Sequence, residues 1–235
     1  PRLAQWIGPL TQRVLGAASA IVVTSEAMRR TPILAPHADR VRVVPCGLDL
    51  TRFRPADSED PVATVPHPRI VFVGRLRHYK GLPALAGLLQ RLPSAHLVVV
   101  GDGPERAAFE SALDLAECRD RAHLRRVLQH ADVAVLPSTS RAEALGISIV
   151  EAQACGVPAV VTDVGTGTTT TVADGQSGRI VPPGDVDAFA AAVAWCLDPD
   201  GAGARRRAAR QHAERYFSAA RMAQHIDDVY AHARS

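Results

Sequence analysis

Short runs of apolar residues, one of them interrupted by Arg42, recur along the chain, and longer stretches with helical spacing separate them. The runs are rich in β-branched residues and do not alternate with polar ones, which is typical of strands covered on both faces. They lie at residues 20–23, 41–44, 70–73, 97–100, 133–136 and 159–161. Helical spacing is clearest at residues 82–92 and 143–154. This alternation predicts an α/β fold, a doubly wound parallel sheet with helices on both faces.

The pattern breaks at residues 51–68, where four prolines accompany acidic residues. Such a stretch predicts a linker between two bodies. Residues 1–50 hold only a helix, a strand, a helix and a strand, which is too little for a complete doubly wound domain. Residues 69–217 carry the main sheet, and 218–235 form a C-terminal helix that we expect to pack back on the first body.

Composition excludes several classes of function. The net charge is +3 and only 4% of residues are aromatic, so neither a basic nucleic-acid surface nor a base-stacking platform is indicated. The four cysteines are far apart, and the histidines show no metal-ligand spacing, so we expect free thiols and no metal. No stretch has the length of a membrane-spanning helix, and no signal peptide is visible, so we expect a cytoplasmic protein.

The first candidate site is the segment GRLRHYKG, in which Gly74 follows a strand and Gly81 precedes a helix. A turn there places Arg75 and Lys80 near a helix N-terminus. The helix dipole, the free amides and the two cations favour a phosphate or pyrophosphate. The alternative is two solvated cations on a surface loop.

The second candidate is the acidic pair Glu143 and Glu151 in EALGISIVE. Eight residues correspond to roughly 800° of helical rotation, so both acids face the same side only if Glu143 lies before the helix. Gly146 marks a turn at which main-chain N–H groups can approach a ligand. The alternative is a dipole-complementing acid and a separate buried, paired acid.

A third candidate is the Gly/Thr-rich loop GTGTTTT at residues 165–171, whose hydroxyl groups suit sugar or phosphate oxygens. It lacks the lysine of a P-loop, and a flexible crossover is its alternative. The arginines at 205, 206, 207 and 210 suit anionic lipid headgroups, although a solvated helix face is the simpler interpretation.

Six segments in one order give the chain a resemblance to glycosyltransferase family four, of the GT-B fold. They are VRVVPCGLDLTRFRP, VFVGRLRHYKGL, LVVVGDGPER, ADVAVLPS, EALGISIVEAQACGVPAVVTDVGTGT and DGQSGRIVPPGD. The resemblance covers nearly the whole chain. It implies a nucleotide-diphosphate sugar donor, UDP- or GDP-linked, and a glycan or lipid-linked acceptor. The KGL and GTGT versions are similar to bacterial enzymes of surface polysaccharide synthesis, often mannosyltransferases.

The resemblance also implies residue roles. Arg75 and Lys80 hold the donor pyrophosphate, Glu143 lies beside the sugar, and Glu151 bonds the ribose. The family retains anomeric configuration and typically needs no metal, and a peripheral membrane contact is expected only by analogy. The full set of implied donor-binding residues beyond the catalytic Arg75, Lys80 and Glu143 is Gly74, Leu145, Gly146, Ile147, Glu151, Gly165 and Thr166.

The chain departs from the family pattern in three ways. By the resemblance, we expect residues 1–50 to be the end of an acceptor-binding domain whose greater part is absent, and no counterpart of the family's catalytic histidine can be assigned. The segment 107–130 looks too short and too polar to hold the expected edge strand. Leu145 replaces the usual phenylalanine. A nucleotide-sugar-binding module without transfer is therefore the alternative function, while the motif order argues against a GT-B phosphorylase or epimerase.

Overall fold

The structure, a computed structural model, describes residues 2–56, 59–112, 116–118 and 121–234. The first fifty residues form α1 (Arg2–Ala17), β1 (Ile21–Val23), α2 (Glu26–Arg29) and β2 (Val41–Val43). β1 and β2 pair in parallel, and their inward residues join Leu34 in a small separate core. The predicted order of helix, strand, helix and strand is confirmed.

A six-stranded parallel sheet forms the main body. Its strands are β3 (Arg69–Val73), β4 (His96–Val100), β5 (Ala116–Cys118), β6 (Val133–Leu136), β7 (Ala159–Thr162) and β8 (Gly178–Val181). They lie in the order β5-β4-β3-β6-β7-β8. The chain starts in the middle of the sheet, builds outward to β5, and then returns to build the other half. This is the predicted doubly wound arrangement, and it creates a crevice where the strand order reverses.

The helices that follow β3 are α3 (Leu82–Arg91), α4 (Arg106–Ala112), α5 (Arg121–Gln129), α6 (Ile147–Ala154), α7 (Val186–Leu197), α8 (Ala202–Tyr216) and α9 (Ala219–Arg234). Helical layers cover both faces of the sheet. α7 packs on α3 and on β6, β7 and β8, whereas α6 packs between α5 and α8. Strands between two helical layers lose water on both faces, which explains why Ile70, Phe72, Val133 and Val160 are fully buried. Across the described helices, no segment combines the length and apolar character that crossing a bilayer requires.

The expectation that residues 107–130 lack a strand is wrong. β5 lies in that segment and pairs with β4, with Ala116 opposite Val98 and Cys118 opposite Val100. The strand has three residues and one of them, Glu117, is charged. It lies at the sheet edge, where a strand has one neighbour and needs less apolar sequence. β8, which begins at a glycine, was also absent from the predicted strands.

The sheet body and the first fifty residues meet at the start of α9. The amide of Leu48 donates to the carbonyl of Phe217 at 2.7 Å, and the amide of Ala219 donates back to Leu48 at 3.0 Å. Gly47 is so close to Ala219 that an added Cβ would lie 2.7 Å from its Cα. In the described parts of residues 51–68, the predicted linker holds neither helix nor strand. The domain boundaries themselves stay predictions.

The arginine cluster on α8 is not a uniform solvated face. Arg205 is 7% exposed, lies 4.9 Å from the centre of the Trp195 ring, and donates to the carbonyls of Asp198 and Asp200. Arg206 and Arg210 also donate to main-chain carbonyls of other elements. Much of this positive charge therefore ties α8 to the body, and the interpretation of Arg205 as a surface residue is wrong.

Candidate active site

A cavity of about 410 Å³ opens at the carboxyl edge of the sheet, between the ends of β3 and β4 and the start of α6. Its volume falls in the range of small-molecule sites, and its position is the one at which doubly wound sheets bind ligands. Its lining residues come from the ends of β3 and β4, from the loops that follow β3, β4 and β6, and from the helices α5 and α6. They are Val73, Gly74, Arg75, Lys80, Val100, Gly101, Asp102, Leu124, Glu143, Gly146, Ile147, Ser148 and Glu151.

The loop after β3 is fixed against the loop after β4. The amide of Gly74 donates to Val100 at 3.0 Å, and the amide of Leu76 donates to Asp102 at 2.9 Å. Gly101 has φ +150°, and a Cβ there would lie 1.9 Å from the Gly74 carbonyl oxygen. Only glycine fits this contact. Arg75 is exposed at the cavity, and the described part of the chain offers its side chain no hydrogen bond or ion pair.

Lys80 is not a surface cation. It ends a short 3-10 helix at His78–Lys80, and it is 8% exposed. Gly81 follows in the left-handed region at φ +68°, and an added Cβ would lie 1.7 Å from the Pro137 carbonyl oxygen. The amide of Thr139 donates to Tyr79 at 2.8 Å, so the two loops are held together on both sides of the lysine.

Lys80 forms a buried ion pair with Glu143. The ammonium group donates to Oε2 of Glu143, and each side chain is 10% exposed. The hydroxyl of Ser138 reaches the same oxygen at 3.4 Å. The hydroxyl of Thr166 donates to the Glu143 carbonyl at 2.6 Å. The carboxylate is therefore held from both neighbouring loops and in turn fixes the ammonium group of Lys80.

The helix α6 begins after Glu143, as the rotation argument required. Gly146 is its N-cap residue with φ +82°, and the helix starts at Ile147. Glu143 and Glu151 both line the cavity, one before the helix and one on its second turn. The N–H groups of the first turn have no intrahelical acceptor, so Ile147 and Ser148 bring partial positive charge to the cavity.

The lining of the cavity carries three carboxylates and two cations. Asp102 lies 3.7 Å from Arg106, and Glu143 is paired with Lys80. The groups left for an anionic ligand are therefore Arg75, the amides of α6 and the two N–H donors of Lys80 that Glu143 does not take. The carboxylates of Glu143 and Glu151 are acceptors suited to hydroxyl groups. The arrangement suits a ligand that combines an anionic centre with hydroxyl groups on either side of it.

Three residues of the sequence-based set lie elsewhere. Leu145 is buried with Val150 and Phe217, beneath the cavity wall. Gly165 and Thr166 line a second cavity, of about 480 Å³, and the hydroxyl of Thr166 donates to the carbonyl of Glu143, which lines the first cavity. The other seven members of the set line the first cavity.

Several lining residues are outside the set of sites predicted from the sequence, and of these Asp102 and Ser148 carry polar groups. The turn at residues 101–104 is a weak candidate in the sequence, similar to the Gly/Thr-rich loop, but no role was assigned to Asp102. Asp102 lies in the strand-ending turn GDGP, where a parallel sheet brings neighbouring loops to one edge. Ser148 is the hydroxyl residue that follows Gly146 within the first helical turn, and that position was its available signal.

The described residues hold no group of three or more histidine, cysteine, aspartate or glutamate side chains placed to bind a metal ion. Cys46, Cys155 and Cys196 are free, and the side chain of Cys118 lies outside the described residues. Burial raises the pKa of Cys155 and of Cys196 to about 12, so both stay neutral thiols. These two cysteines therefore have structural rather than nucleophilic roles.

The chain matches one family model, described as Glycosyl transferases group 1, over residues 67–199. Among curated proteins, it is 34% identical to the D-inositol 3-phosphate glycosyltransferase of Mycobacterium marinum over 227 residues. That match covers 86% of this chain and 48% of the relative. The chain thus spans about half the length of the curated relatives it matches.

Solved structures resemble the fold closely. Sucrose-phosphate synthase from Thermosynechococcus elongatus superposes with a TM-score of 0.81 at 25% identity, covering 95% of this chain and 60% of that one. Anabaena Alr3699/HepE in complex with UDP and glucose gives 0.78 at 22% identity, covering 94% and 67%.

Proposed function

Because the chain belongs to the glycosyl transferases group 1 family, we propose that its 410 Å³ cavity binds a nucleotide-diphosphate sugar. The observation that carries the proposal is the meeting of Arg75, Lys80 and the start of α6 in one cavity at the carboxyl edge of the sheet. The complex of Anabaena Alr3699/HepE with UDP and glucose shares this fold and supports a nucleotide sugar as ligand.

The pyrophosphate is placed between Arg75 and the N-terminus of α6. Arg75 lacks a partner among the described residues and has two parallel N–H donors for phosphate oxygens. Lys80 has three donors, of which Glu143 takes one, so it also reaches a phosphate from the loop opposite. When the bond between the sugar and the diphosphate breaks, these groups stabilise the negative charge that develops on the leaving group.

The acids orient the neutral parts of the donor. Glu151, on the second turn of α6, accepts hydrogen bonds from the ribose hydroxyls. Glu143 accepts from a hydroxyl of the sugar while it holds Lys80 in position. In the reaction, the bond from sugar C1 to the diphosphate oxygen breaks and an acceptor oxygen bonds to C1. The proton of the acceptor hydroxyl passes to the diphosphate oxygen that leaves C1, and the nucleoside diphosphate departs.

We propose further that the transfer retains anomeric configuration and proceeds without a metal, because Arg75, Lys80 and α6 supply the positive charge. The acceptor implied by the sequence resemblance is a glycan or lipid-linked sugar of cell-surface polysaccharide synthesis, reached at the inner face of the membrane by a cytoplasmic protein. The curated relatives are D-inositol 3-phosphate glycosyltransferases, which favours a second candidate acceptor, D-inositol 3-phosphate. Incubation of a labelled donor with each acceptor, followed by analysis of the product anomer, distinguishes these candidates.

The alternative is a module that binds the nucleotide sugar and transfers nothing. Both functions require donor binding, so binding is measured first, by calorimetric titration with UDP and with GDP, with and without EDTA. We expect one of the two nucleotides to bind, and to bind equally well in EDTA. Turnover of a labelled donor in the presence of acceptor then separates an enzyme from a module.

The site is tested by the double variant Arg75→Ala, Lys80→Ala. Charged hydrogen bonds contribute about 1.5–3 kcal/mol each, so we expect affinity to fall by at least about 100-fold. Arg75→Ala alone leaves the buried ion pair intact, so this variant should fold normally. We expect its affinity for the nucleotide to fall by about 10-fold or more. The matched control is Arg77→Ala, Arg221→Ala, which removes two exposed cations that do not line the cavity. A folded chain that binds neither nucleotide, or binds equally in all variants, would overturn the assignment.

A further inference from the structure

The second cavity, of about 480 Å³, lies between the first fifty residues and the carboxyl edge of the sheet. One wall is formed by the end of α2 and the residues that follow it, and the other by the loops after β6 and β7. Its lining residues are Ala27, Arg30, Thr31, Pro32, Arg141, Asp163, Gly165, Thr166 and Thr169. Both halves of the chain are therefore needed to form it.

Two guanidinium groups face this cavity without a protein partner. Arg30 and Arg141 are exposed, and within the described residues neither side chain makes a hydrogen bond or ion pair. Other arginines of the chain are used structurally, as Arg40 is by the carbonyls of Gly16 and Ala18. Two guanidinium groups that line the same cavity without a counter-ion favour the binding of a phosphate or a carboxylate, because each can donate paired N–H groups to its oxygens.

The threonines of the Gly/Thr-rich loop distinguish this cavity from an ordinary surface hollow. Thr166, Thr168, Thr170 and Thr171 each donate the hydroxyl proton to a main-chain carbonyl, at 2.6 to 3.1 Å. Among the threonines of residues 166–171, all of which the structure describes, Thr169 alone has no such bond, and it lines the cavity. The loop therefore leaves one hydroxyl group available, on the side that Arg30 and Arg141 occupy.

Asp163 adds an acceptor to the same wall. Its Oδ1 accepts the amide of Gly165 at 2.9 Å, and the carboxylate is otherwise exposed. One carboxylate against two arginines leaves a net positive cavity, in contrast to the first cavity, where carboxylates outnumber cations. A carboxylate and a hydroxyl beside two guanidinium groups form a polar set for a ligand with both hydroxyl groups and an anionic group.

We propose that the second cavity binds the phosphate group of a polyhydroxylated acceptor, with Arg30 and Arg141 on the phosphate and Thr169 and Asp163 on adjacent hydroxyls. The proposal rests on the proposed function, because it makes the ligand an acceptor. The two cavities are neighbours, since Thr166 lines the second and bonds the carbonyl of Glu143, which lines the first. Gly165 and Thr166, assigned to the donor from the sequence, are placed by this proposal on the acceptor side.

The test measures binding to the chain already saturated with its nucleotide, so that the first cavity is filled. The probes are inorganic phosphate, D-inositol 3-phosphate and unphosphorylated inositol, followed by calorimetry. We expect D-inositol 3-phosphate to bind best and inositol weakly. In the double variant Arg30→Ala, Arg141→Ala we expect affinity for both phosphates to fall by about 10-fold or more per arginine, with nucleotide affinity unchanged. Arg30→Lys, Arg141→Lys should recover part of the loss.

The matched control is Arg29→Ala, Arg221→Ala, which removes the same charge from positions that do not line the cavity. Equal phosphate binding in the two double variants, or none in a chain that binds nucleotide, would overturn the acceptor site while leaving the donor site intact. Absence of nucleotide binding overturns the donor site instead, and the same variants then test phosphate binding to the free chain. Vesicles containing phosphatidylinositol, sedimented with the same variants, show whether a lipid headgroup is the source of the phosphate.

Discussion

Replacing Glu143 with glutamine removes the negative charge that neutralises Lys80 and leaves the side-chain volume unchanged. The two side chains are each 10% exposed, so water screens the pair poorly. Glu143 also accepts a hydrogen bond from the Ser138 hydroxyl at 3.4 Å, and the amide oxygen of a glutamine can still accept it. The variant therefore isolates the charge of the carboxylate from its shape.

The substitution should lower the stability of the folded chain and raise its affinity for a diphosphate. Removing one partner of a buried ion pair costs about 3–5 kcal/mol, and the retained hydrogen-bond acceptor favours the lower end. For a chain of this size, about 3 kcal/mol lowers the melting temperature by about 6–12 °C. Diphosphate binding should become tighter, because the carboxylate repels the phosphates. At an effective dielectric constant of about 20 and a separation of about 6 Å, that repulsion is about 3 kcal/mol before salt screening.

We expect Glu143→Gln to bind UDP or GDP about 10-fold more tightly, while the additional affinity from the attached sugar is reduced. Melting curves of the free and the nucleotide-saturated variant measure the loss of stability. We expect bound nucleotide to restore much of that stability, because the diphosphate replaces the carboxylate as the counter-ion of Lys80. Calorimetric titration with UDP and with UDP-glucose measures the change in affinity for the diphosphate and the additional affinity that the attached sugar contributes. The experiment repeated at about 1 M salt should show a smaller gain in affinity.

The control is Glu110→Gln, since Glu110 is exposed and pairs with Arg106 one helical turn away. Such a surface pair contributes only about 0.3–0.5 kcal/mol, and the residue does not line the cavity. If Glu143→Gln melts like the wild type and binds the nucleotide diphosphate with unchanged affinity, Glu143 does not control the charge of Lys80. The electrostatic account of the first cavity would then be wrong.

Two further predictions concern stability. Gly81→Ala should destabilise the chain more than Gly175→Ala in thermal melts. Both glycines have positive φ, which costs alanine roughly 1–2 kcal/mol, but at Gly81 the added Cβ would also lie 1.7 Å from the Pro137 carbonyl oxygen, whereas at Gly175 it would meet no atom within 4 Å. Equal losses of stability in the two variants would contradict the packing argument. Burial lowers the pKa of His212, whose ring bonds the Thr170 carbonyl. The unfolded chain then binds more protons, so stability should fall as the pH drops through 6.5; His212→Gln should melt with a smaller difference between about pH 7.5 and about pH 5.5, and an unchanged difference would exclude His212 as its source.

The sequence alone determined the class of the fold and most of its strands. The apolar runs predicted strands buried on both faces, and all six lie at residues that the structure assigns to strands. The prediction of two buried faces is wrong for β1 and β2, in which Val22 and Arg42 are exposed. The sequence also predicted seven residues that the structure places in one cavity. This prediction is possible because parallel strands place the loops that follow them at the same edge of the sheet. Local signals fail where a strand needs little apolar sequence, which is why β5 at the sheet edge and β8 were missed.

Only the tertiary structure decided how each charge is used. Lys80 looks in sequence like a loop cation, yet Gly81 lets its loop pack on Pro137, and this contact buries the lysine against Glu143. Arg205 looks like part of a charged helix face, yet Trp195 and two carbonyls enclose it. Both outcomes depend on residues distant along the chain or in other elements, and electrostatic energy depends on the separation and burial of the partners in space. For the same reason the sequence placed Gly165 and Thr166 with the donor, whereas packing between the two halves of the chain puts them in a second cavity.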